Sequence, residues 1–404
     1  MSKIRIILVG IGGYGEKHVK DLLDENNSDK LKDVEIIAVV EPNLERCNNI
    51  EELKEKNIAF YSSLEEYYGC HSKGADLAII TTPIYLHASQ IIYCLSKGTN
   101  VLCEKPLCAS YEEAVAIIKA EKSYGKSVGI GYQLSFSRTI QELKKDIQSG
   151  IFGKAIRLKT IIYEPRGEKY YSRNSWVGKI NTADNRSVLD SPINNAFAHQ
   201  LHNMFYILGK TRESSAIPVE VTAELYKANL KIENFDTATL KCITQEGVEI
   251  LFYSSHTIKK YKWDCYKYEF ENAIIEYIPQ EMKSFVAKFK DGTEKRYQSC
   301  KEKNSQKLWD AIENVRTGKP MACGALAACS QTLCIIGVQE ALPDVVSFPS
   351  ELIEKTGEVG DLMINVLGLE DKLHKCFDED KLPSELETPY VKRSKIIKLK
   401  SINY

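Results

Sequence analysis

The strongest chemical signal in the sequence is a glycine-rich turn near its start. The turn satisfies the pattern GxGxxG, follows the apolar run Ile4–Val9 directly and precedes a helical pattern. In such a turn the first glycine permits a sharp bend, the second lets the backbone approach a pyrophosphate, and the third lets helix and strand pack closely. The free N–H groups at the start of the helix then bind phosphate oxygens. We therefore predict a dinucleotide site formed by Gly10, Ile11, Gly12, Gly13, Tyr14 and Gly15.

Glu41 indicates which dinucleotide to expect. It ends the second strand pattern, 26 residues after Gly15, where a carboxylate accepts hydrogen bonds from the adenosine ribose hydroxyls. The same carboxylate repels the 2′-phosphate of NADP, so we predict NAD in preference to NADP. The alternative is an ordinary surface glutamate beside Pro42.

Polar residues also follow the strand patterns at 76–80, 100–103 and 127–131. Ligands bind at the carboxyl ends of the strands in doubly wound parallel sheets, so these positions are candidates for the cofactor site. The set consists of Thr82 and Pro83, His87 on the next helix, Glu104 and Lys105 before Pro106, and Gln133.

These stretches resemble the Gfo/Idh/MocA oxidoreductases, the group of glucose-fructose oxidoreductase and inositol dehydrogenase. The resemblance rests on the glycine turn and on the runs 76–87 and 100–106, and it extends from residue 4 to about residue 165. It implies that Lys105 lies beside the nicotinamide and the substrate hydroxyl, as a catalytic and substrate-binding residue. An oxidised nicotinamide and desolvation disfavour the ammonium form of such a lysine, which makes its proton mobile. The alternative is a loop lysine paired with Glu104.

The resemblance also implies an aspartate and a histidine four residues apart in the second domain, where this sequence departs from it. Counting back from Gly209 places His199 at the acid/base position and Asn195 at the aspartate position. On one helix residues 195, 199 and 202 share a face, so we predict that Asn195, His199 and His202 bind substrate. His199 is a candidate to accept the hydroxyl proton, whereas Asn195 only hydrogen-bonds a hydroxyl or fixes the histidine tautomer.

Alternatives stay open for this segment. Asp190 is a candidate to supply the missing carboxylate from the preceding loop. Both His199 and His202 are also compatible with core histidines. We predict no metal, because His199-x-x-His202 has no third ligand at a suitable local spacing.

A polar and aromatic segment runs from Tyr163 to Trp176. Sugar sites combine hydrogen-bonding side chains with aromatic platforms, so we predict that Arg166 and Trp176 contact the substrate. The alternative is an exposed loop.

The elements that position these residues change character along the chain. Up to residue 131, short apolar runs alternate with helical patterns, which predicts an N-terminal Rossmann domain with a doubly wound parallel sheet. After a helix at 138–148, strand patterns at 155–163, 219–226, 237–244 and 248–255 predict an α+β domain with a mostly antiparallel open sheet. We place the NAD-binding domain at 1–133, the substrate and oligomerisation domain at 134–345, and an extension of unknown role at 346–404. Two helical patterns at 305–315 and 326–342 are expected to return to the first domain.

The composition of the chain limits the kinds of partner that we expect. The 54 basic and 55 acidic side chains balance, so no net field attracts nucleic acid or an anionic membrane, and no apolar stretch approaches the ~20 residues that span a bilayer. The 12 cysteines show no CxxC pair, which favours reduced, mostly buried thiols. We expect a cytoplasmic enzyme with a small-molecule substrate.

Three functions compete. The leading prediction is a dehydrogenase that moves a hydride between nicotinamide and a secondary hydroxyl or ketone of a sugar, sugar derivative or cyclitol. The second is a redox-neutral glycoside lyase or hydrolase, or an epimerase, acting through a transient keto-sugar; the third is a non-catalytic NAD sensor. Because no predicted helix covers the outer face of the antiparallel sheet, and because the resembling family uses that face between subunits, we also expect a homodimer or homotetramer.

Overall fold

The computed structural model describes residues 3–71, 73–259, 263–278, 282, 284–298, 305–341, 345–386, 390–392 and 394–401. The chain divides into two compact units, the first made of residues 1–136 with 302–329 and the second of residues 137–301 with 330–402. The first unit therefore draws on two separate parts of the chain.

The first unit contains a six-stranded parallel sheet. Its strand order is β3-β2-β1-β4-β5-β6, with every neighbouring pair parallel. This is the Rossmann order, whose reversal between β1 and β4 creates the ligand crevice. The strands are β1 (Ile4–Val9), β2 (Val34–Val40), β3 (Ala59–Tyr61), β4 (Leu77–Ile80), β5 (Asn100–Cys103) and β6 (Val128–Ile130).

Helices connect these strands, as parallel pairing requires. They are α1 (Gly15–Leu23), α2 (Ser28–Leu31), α3 (Ile50–Glu55), α4 (Leu64–Cys70), α5 (Ile84–Ser96) and α6 (Tyr111–Tyr124). A later helix, α10 (Gln306–Thr317), also belongs to this unit. The unit boundary falls inside α11 (Ala325–Ala341).

The second unit contains a ten-stranded sheet in which most pairs are antiparallel. Its order is β14-β13-β12-β11-β7-β10-β9-β8-β15, with β18 also paired to β8; the pairs β7–β10 and β8–β15 are parallel. The fold class predicted from the sequence is thus confirmed. The strands are β7 (Ala155–Tyr163), β8 (Pro218–Lys227), β9 (Thr237–Thr244), β10 (Glu249–Ser255), β11 (Trp263–Phe270), β12 (Ala273–Tyr277), β13 (Val286–Phe289), β14 (Glu294–Arg296), β15 (Val346–Ser347) and β18 (Ile397–Lys398).

Helices cover both faces of this sheet. On one face Thr160 of β7 contacts Met204 of α9 (Ala198–Ile207). On the other, Ile161 packs with Leu373 and Phe377 of α12 (Leu369–Glu379). The expectation that no helix covers the outer face is therefore wrong, because α12, which lies in the extension of unknown role, packs against it.

The remaining elements complete the second unit. They are α7 (Arg138–Ser149), α8 (Glu168–Ser172) and a small hairpin of β16 (Ile353–Thr356) and β17 (Met363–Val366). Among the described residues no helix combines the length and apolarity that crossing a membrane requires.

Candidate functional site

The glycine turn has the geometry that its sequence predicts. Gly10 has φ of +81°, in the left-handed region that favours glycine. A Cβ added at Gly15 would lie 2.5 Å from the carbonyl oxygen of Gly10 and 2.7 Å from Oγ1 of Thr81. Only glycine lets α1 start this close to the loops that follow β1 and β4.

The start of α1 suits a phosphate. Tyr14 occupies the N-cap position and its side chain caps no backbone N–H, whereas a Cβ added at Gly13 would meet nothing within 4 Å. Backbone N–H groups at an uncapped helix start favour an anion. This end of the turn therefore fits the pyrophosphate of a dinucleotide.

Glu41 lies directly against the glycine turn. Its Oε2 accepts from the backbone N–H of Ile11 at 3.1 Å, and its Oε1 accepts from that of Asn43 at 3.0 Å. Each carboxylate oxygen has a second lone pair. Glu41 is thus fixed in place and keeps acceptor capacity for ribose hydroxyls.

His87 joins the loops that follow β4 and β5. Its Nδ1 lies 2.7 Å from the carbonyl oxygen of Pro106 and its Nε2 lies 2.9 Å from that of Thr82. The ring is buried, and burial lowers the pKa of the imidazole although both carbonyl contacts oppose that shift. Both ring nitrogens therefore contact backbone carbonyl groups, and His87 holds the loop at Thr82 close to the loop at Pro106.

The carboxylate of Glu104 is buried in the interior of the first unit. Its Oε1 accepts from Nζ of Lys307 on α10 at 2.5 Å and lies 3.0 Å from Nε2 of His18 on α1. Lys307 also donates to the hydroxyl of Tyr14 at 3.2 Å. We call Glu104, Lys307 and His18 the buried charge cluster. Through the contact of Lys307 with the exposed Tyr14, it connects the loop after β5 to the glycine turn.

Charge and burial act in opposite directions within this cluster. Burial alone would raise the pKa of Glu104, but the Lys307 ammonium and the hydrogen bond from His18 hold it well below its ordinary value. For Lys307 burial opposes the charge, and the Glu104 carboxylate raises the pKa above normal. Burial lowers the pKa of His18, so its neutral ring donates from Nε2 to the carboxylate. Glu104 and Lys307 are consequently both ionised at neutral pH.

Lys105 directly follows Glu104 of this cluster in the chain, and Gln133 lies just after β6. The side chain of Lys105 is half-buried. Its neighbours in the chain are Glu104, whose carboxylate is anchored, and Pro106, whose carbonyl oxygen contacts His87. Gln133 is half-buried at the start of a 3₁₀ turn, Gln133–Phe136. The backbone on both sides of Lys105 is therefore tied to buried side chains.

In the second unit, the segment that carries Asn195 is not the regular helix predicted from the sequence. Pro192–Ala196 forms a π-helical turn that ends at Phe197 before α9 begins. Ser191 caps this turn by accepting from the backbone N–H of Asn194 at 3.2 Å. Asn195 and His199 therefore belong to different elements, and the assumption of one continuous helix was wrong.

Asp190 determines how Asn195 is oriented. Nδ2 of Asn195 donates to Oδ1 of Asp190 at 2.8 Å, and the backbone N–H of Gly178 donates to Oδ2 at 2.6 Å. Asp190 is buried. A carboxylate is thus present beside position 195, supplied from the preceding loop.

The two histidines of α9 lie in different environments. His199 is half-buried, whereas His202 is fully buried. Burial, helped by the nearby charge of Lys144, lowers the pKa of His202 to about 3. His202 therefore stays neutral at physiological pH and lies in the core, whereas Asn195 and His199 are each half-buried.

Arg166 and Trp176 are both half-buried, and Arg166 has an aromatic neighbour. The guanidinium of Arg166 lies 4.5 Å from the ring centre of Tyr170, and that of Arg173 lies 3.9 Å from the same ring. Arg166 also pairs with Glu164 at 3.1 Å. The segment thus presents two cations around one aromatic ring.

Sequence reasoning missed several of these partners. His18 and Lys307 carry no motif, and Lys307 is 203 residues from Glu104 in the chain. Tyr170 and Arg173 lie within the polar and aromatic segment 163–176 that the sequence analysis predicts to contact the substrate. The sequence therefore contained a signal for Tyr170 and Arg173, whereas only the fold reveals His18 and Lys307.

The first unit is an NAD-binding Rossmann fold, and comparison with known proteins agrees. Residues 4–132 match the family model described as oxidoreductase family, NAD-binding Rossmann fold, of the Gfo/Idh/MocA group. The N-terminal part of the chain is thus similar to the Gfo/Idh/MocA oxidoreductases. The resemblance and the prediction of NAD as the cofactor are thereby confirmed.

Relatives with assigned activities match only part of the chain. Inositol 2-dehydrogenase of Rhodococcus erythropolis is 28% identical over 154 residues, which cover 38% of this chain and 42% of the relative. 2,7-anhydro-N-acetylneuraminate hydratase of Escherichia coli is 26% identical over 209 residues, covering 51% of this chain and 50% of the relative. The chain thus spans about half the length of these two relatives.

Solved structures share most of the architecture. The WlbA dehydrogenase of Bordetella pertussis, solved with NADH and UDP-GlcNAcA, has a TM-score of 0.68 at 18% identity and covers 85% of this chain and 97% of its own. At this level of identity the similarity establishes the fold.

Proposed function

We propose that this protein is an NAD-dependent oxidoreductase that transfers a hydride between nicotinamide and a secondary hydroxyl or ketone of a sugar, sugar derivative or cyclitol. The observation that carries the proposal is the anchoring of Lys105. The glutamate before it is fixed by Lys307 and His18, and the proline after it is fixed by His87. A positioned lysine at the carboxyl end of a parallel strand is the arrangement needed for proton transfer at a substrate hydroxyl.

The cofactor site assigned here uses the glycine turn and Glu41. The N–H groups at the start of α1 would hold the pyrophosphate, and Glu41 would accept from the adenosine ribose. Bound NAD would supply the hydride acceptor. Thr82, Pro83 and Gln133 are assigned to the nicotinamide end, and His87 and Glu104 act by positioning these loops.

The proton and substrate roles are assigned residue by residue. We assign proton transfer to Lys105 and His199, hydrogen bonding of a substrate hydroxyl to Asn195, and further substrate contacts to Arg166 and Trp176. Because His202 is fully buried, we assign it to positioning within α9. Replacing His199 by glutamine should lower kcat by about 10²–10⁴.

A redox-neutral reaction is the second candidate. Its support is the paired arrangement of Asn195 and Asp190, in which an amide replaces the usual carboxylate and the nearby carboxylate is bound to that amide. A relative named as a hydratase matches about half of the chain. In this alternative the substrate is oxidised, loses or inverts a neighbouring group, and is reduced again with no net change in NAD.

The amount of NADH formed for each substrate molecule consumed distinguishes the two functions. Purified protein is incubated with NAD and a panel of sugars, sugar acids, glycosides and inositols, while NADH absorbance and substrate loss are followed together. Substrate loss matched by NADH establishes the dehydrogenase, and substrate loss without NADH establishes the redox-neutral enzyme. Absence of turnover across the panel, with NAD bound, would contradict both proposals for these substrate classes.

A further inference from the structure

The outer face of the second unit's sheet is apolar in one part and charged in the other. On β7, β10 and β8 the outward side chains include Ile161, Leu251, Tyr253 and Tyr226, all of them buried. An apolar sheet face of this kind must be covered by something, because leaving it in water is unfavourable and promotes association.

Away from this region the same face carries charged residues. On β12 and β13 the outward residues include Glu276 and Lys288, which pair at 2.9 Å, and a single exposed isoleucine, Ile274, lies beside them. Only the apolar part of the face therefore needs a cover.

The chain's own C-terminal extension provides this cover. The apolar side of α12 consists of Leu369, Leu373, Cys376 and Phe377, spaced four, three and one residues apart and all buried on the sheet. Phe377 lies 6.0 Å from the ring of Tyr253. Before the helix, Phe348 stacks on Tyr226 at 5.4 Å.

Polar groups of the sheet are satisfied by the same extension. Lys159 is 2% exposed, and its Nζ donates to the carbonyl oxygen of Phe377 and to Oδ1 of Asp380, both at 2.6 Å. The hydroxyl of Tyr253 lies within 3.1 Å of the carbonyl oxygens of Cys376 and Lys381. A buried ammonium placed at the carboxyl end of α12 is stabilised by the helix dipole.

An apolar face that lies beneath this segment, and that is joined to it by buried polar contacts, is already covered within the same chain.

We propose that residues 346–386 take the place of a partner subunit on the outer face of β7, β8, β9 and β10. A second copy of the chain does not bind there, because that surface is occupied in every protomer. The face drives self-association only when the extension is displaced.

The test uses the full chain and two substitutions on α12. Leu373→Asp places a carboxylate on the buried side of the helix, and Lys375→Asp places one on its exposed side as the matched control. Amide hydrogen exchange measures protection of β7 and β10, with β1 of the first unit as an internal control for folding. Sedimentation velocity over a 100-fold range of concentration, roughly micromolar upward, measures association.

We expect Leu373→Asp to lose at least about tenfold of its protection in β7 and β10, keep that of β1, and self-associate as concentration rises. Wild type and Lys375→Asp should retain protection at every concentration. Two results would overturn the proposal: Leu373→Asp with wild-type protection, or loss of protection with a monomer at all concentrations. A wild-type protein in which cross-links between isotopically heavy and light copies join α12 to β7 would also overturn it.

If Leu373→Asp fails to accumulate, Phe377→Ala gives the same comparison with a milder change. It removes the ring against Tyr253 without adding charge. Loss of protection confined to β7 and β10 supports the proposal, and unchanged protection contradicts it.

Discussion

Removing the ammonium of Lys307 should destabilise the first unit strongly. In Lys307→Met the side chain keeps a similar length, but Glu104 loses the cation 2.5 Å from its Oε1. Removing one member of a buried ion pair typically costs about 3–5 kcal/mol, because the remaining charge is left uncompensated. We expect the free energy of unfolding, measured by urea titration, to fall by about that amount at pH 8.

The pH dependence gives a second readout with a defined sign. In the wild type the pKa of Glu104 is lowered on folding, so its contribution is present above the unfolded pKa and is lost as pH falls through the acid range. In Lys307→Met burial dominates and should raise that pKa, so the folded state binds a proton that the unfolded state has released. The variant's deficit should therefore grow as pH rises above the unfolded pKa, and should be larger at pH 8 than at pH 5.

The matched control is the double variant Lys307→Met with Glu104→Gln. It removes both charges, so its cost should be well below the sum of the two single costs. Additive costs, or a single-variant cost below about 1 kcal/mol, would refute the assignment of a coupled buried pair.

Four further predictions concern the site. Lys105→Met should abolish turnover and leave NAD affinity within a few-fold in a binding titration; retained turnover contradicts its role. Glu41→Ala should raise NADP affinity relative to NAD, and an unchanged ratio contradicts the ribose contact. Asn195→Asp places a second carboxylate against that of Asp190, so it should lower the free energy of unfolding by about 1–3 kcal/mol at pH 8. At pH 5 the free energy of unfolding should recover, and equal stability at both pH values would count against this pairing. His202→Gln should leave the pH profile of kcat between pH 5 and pH 9 unchanged, because burial lowers the pKa of His202 to about 3, and a shifted limb would show otherwise.

Local patterns predicted much of the first unit. Strands β1, β2 and β5 begin and end where the apolar runs do, because strands buried on both faces read as continuous apolar segments. β3 was missed because it has three residues, Ala59–Tyr61, and so short a run has no readable period. The glycine turn was predictable because its conformation restricts the residue type.

The second unit was harder to predict where tertiary contacts determine the local conformation. The π-helical turn at Pro192–Ala196 depends on Ser191 and on the buried Asp190, which periodicity does not report. By contrast, the amphipathic spacing of α12, from Leu369 to Phe377, was present in the sequence. This spacing was overlooked because charged residues surround it. As a result, the sequence analysis did not predict which element covers the sheet.

The separation of 203 positions between Glu104 and Lys307 also affects the order of events during synthesis. A ribosome adding about 5–20 residues per second needs roughly 10–40 s to reach the lysine after it has made the glutamate. During that interval the strands of the first unit exist, but the cation that allows Glu104 to be buried does not. The nascent N-terminal segment must therefore keep this carboxylate hydrated, and the unit closes only after most of the second unit has been synthesised.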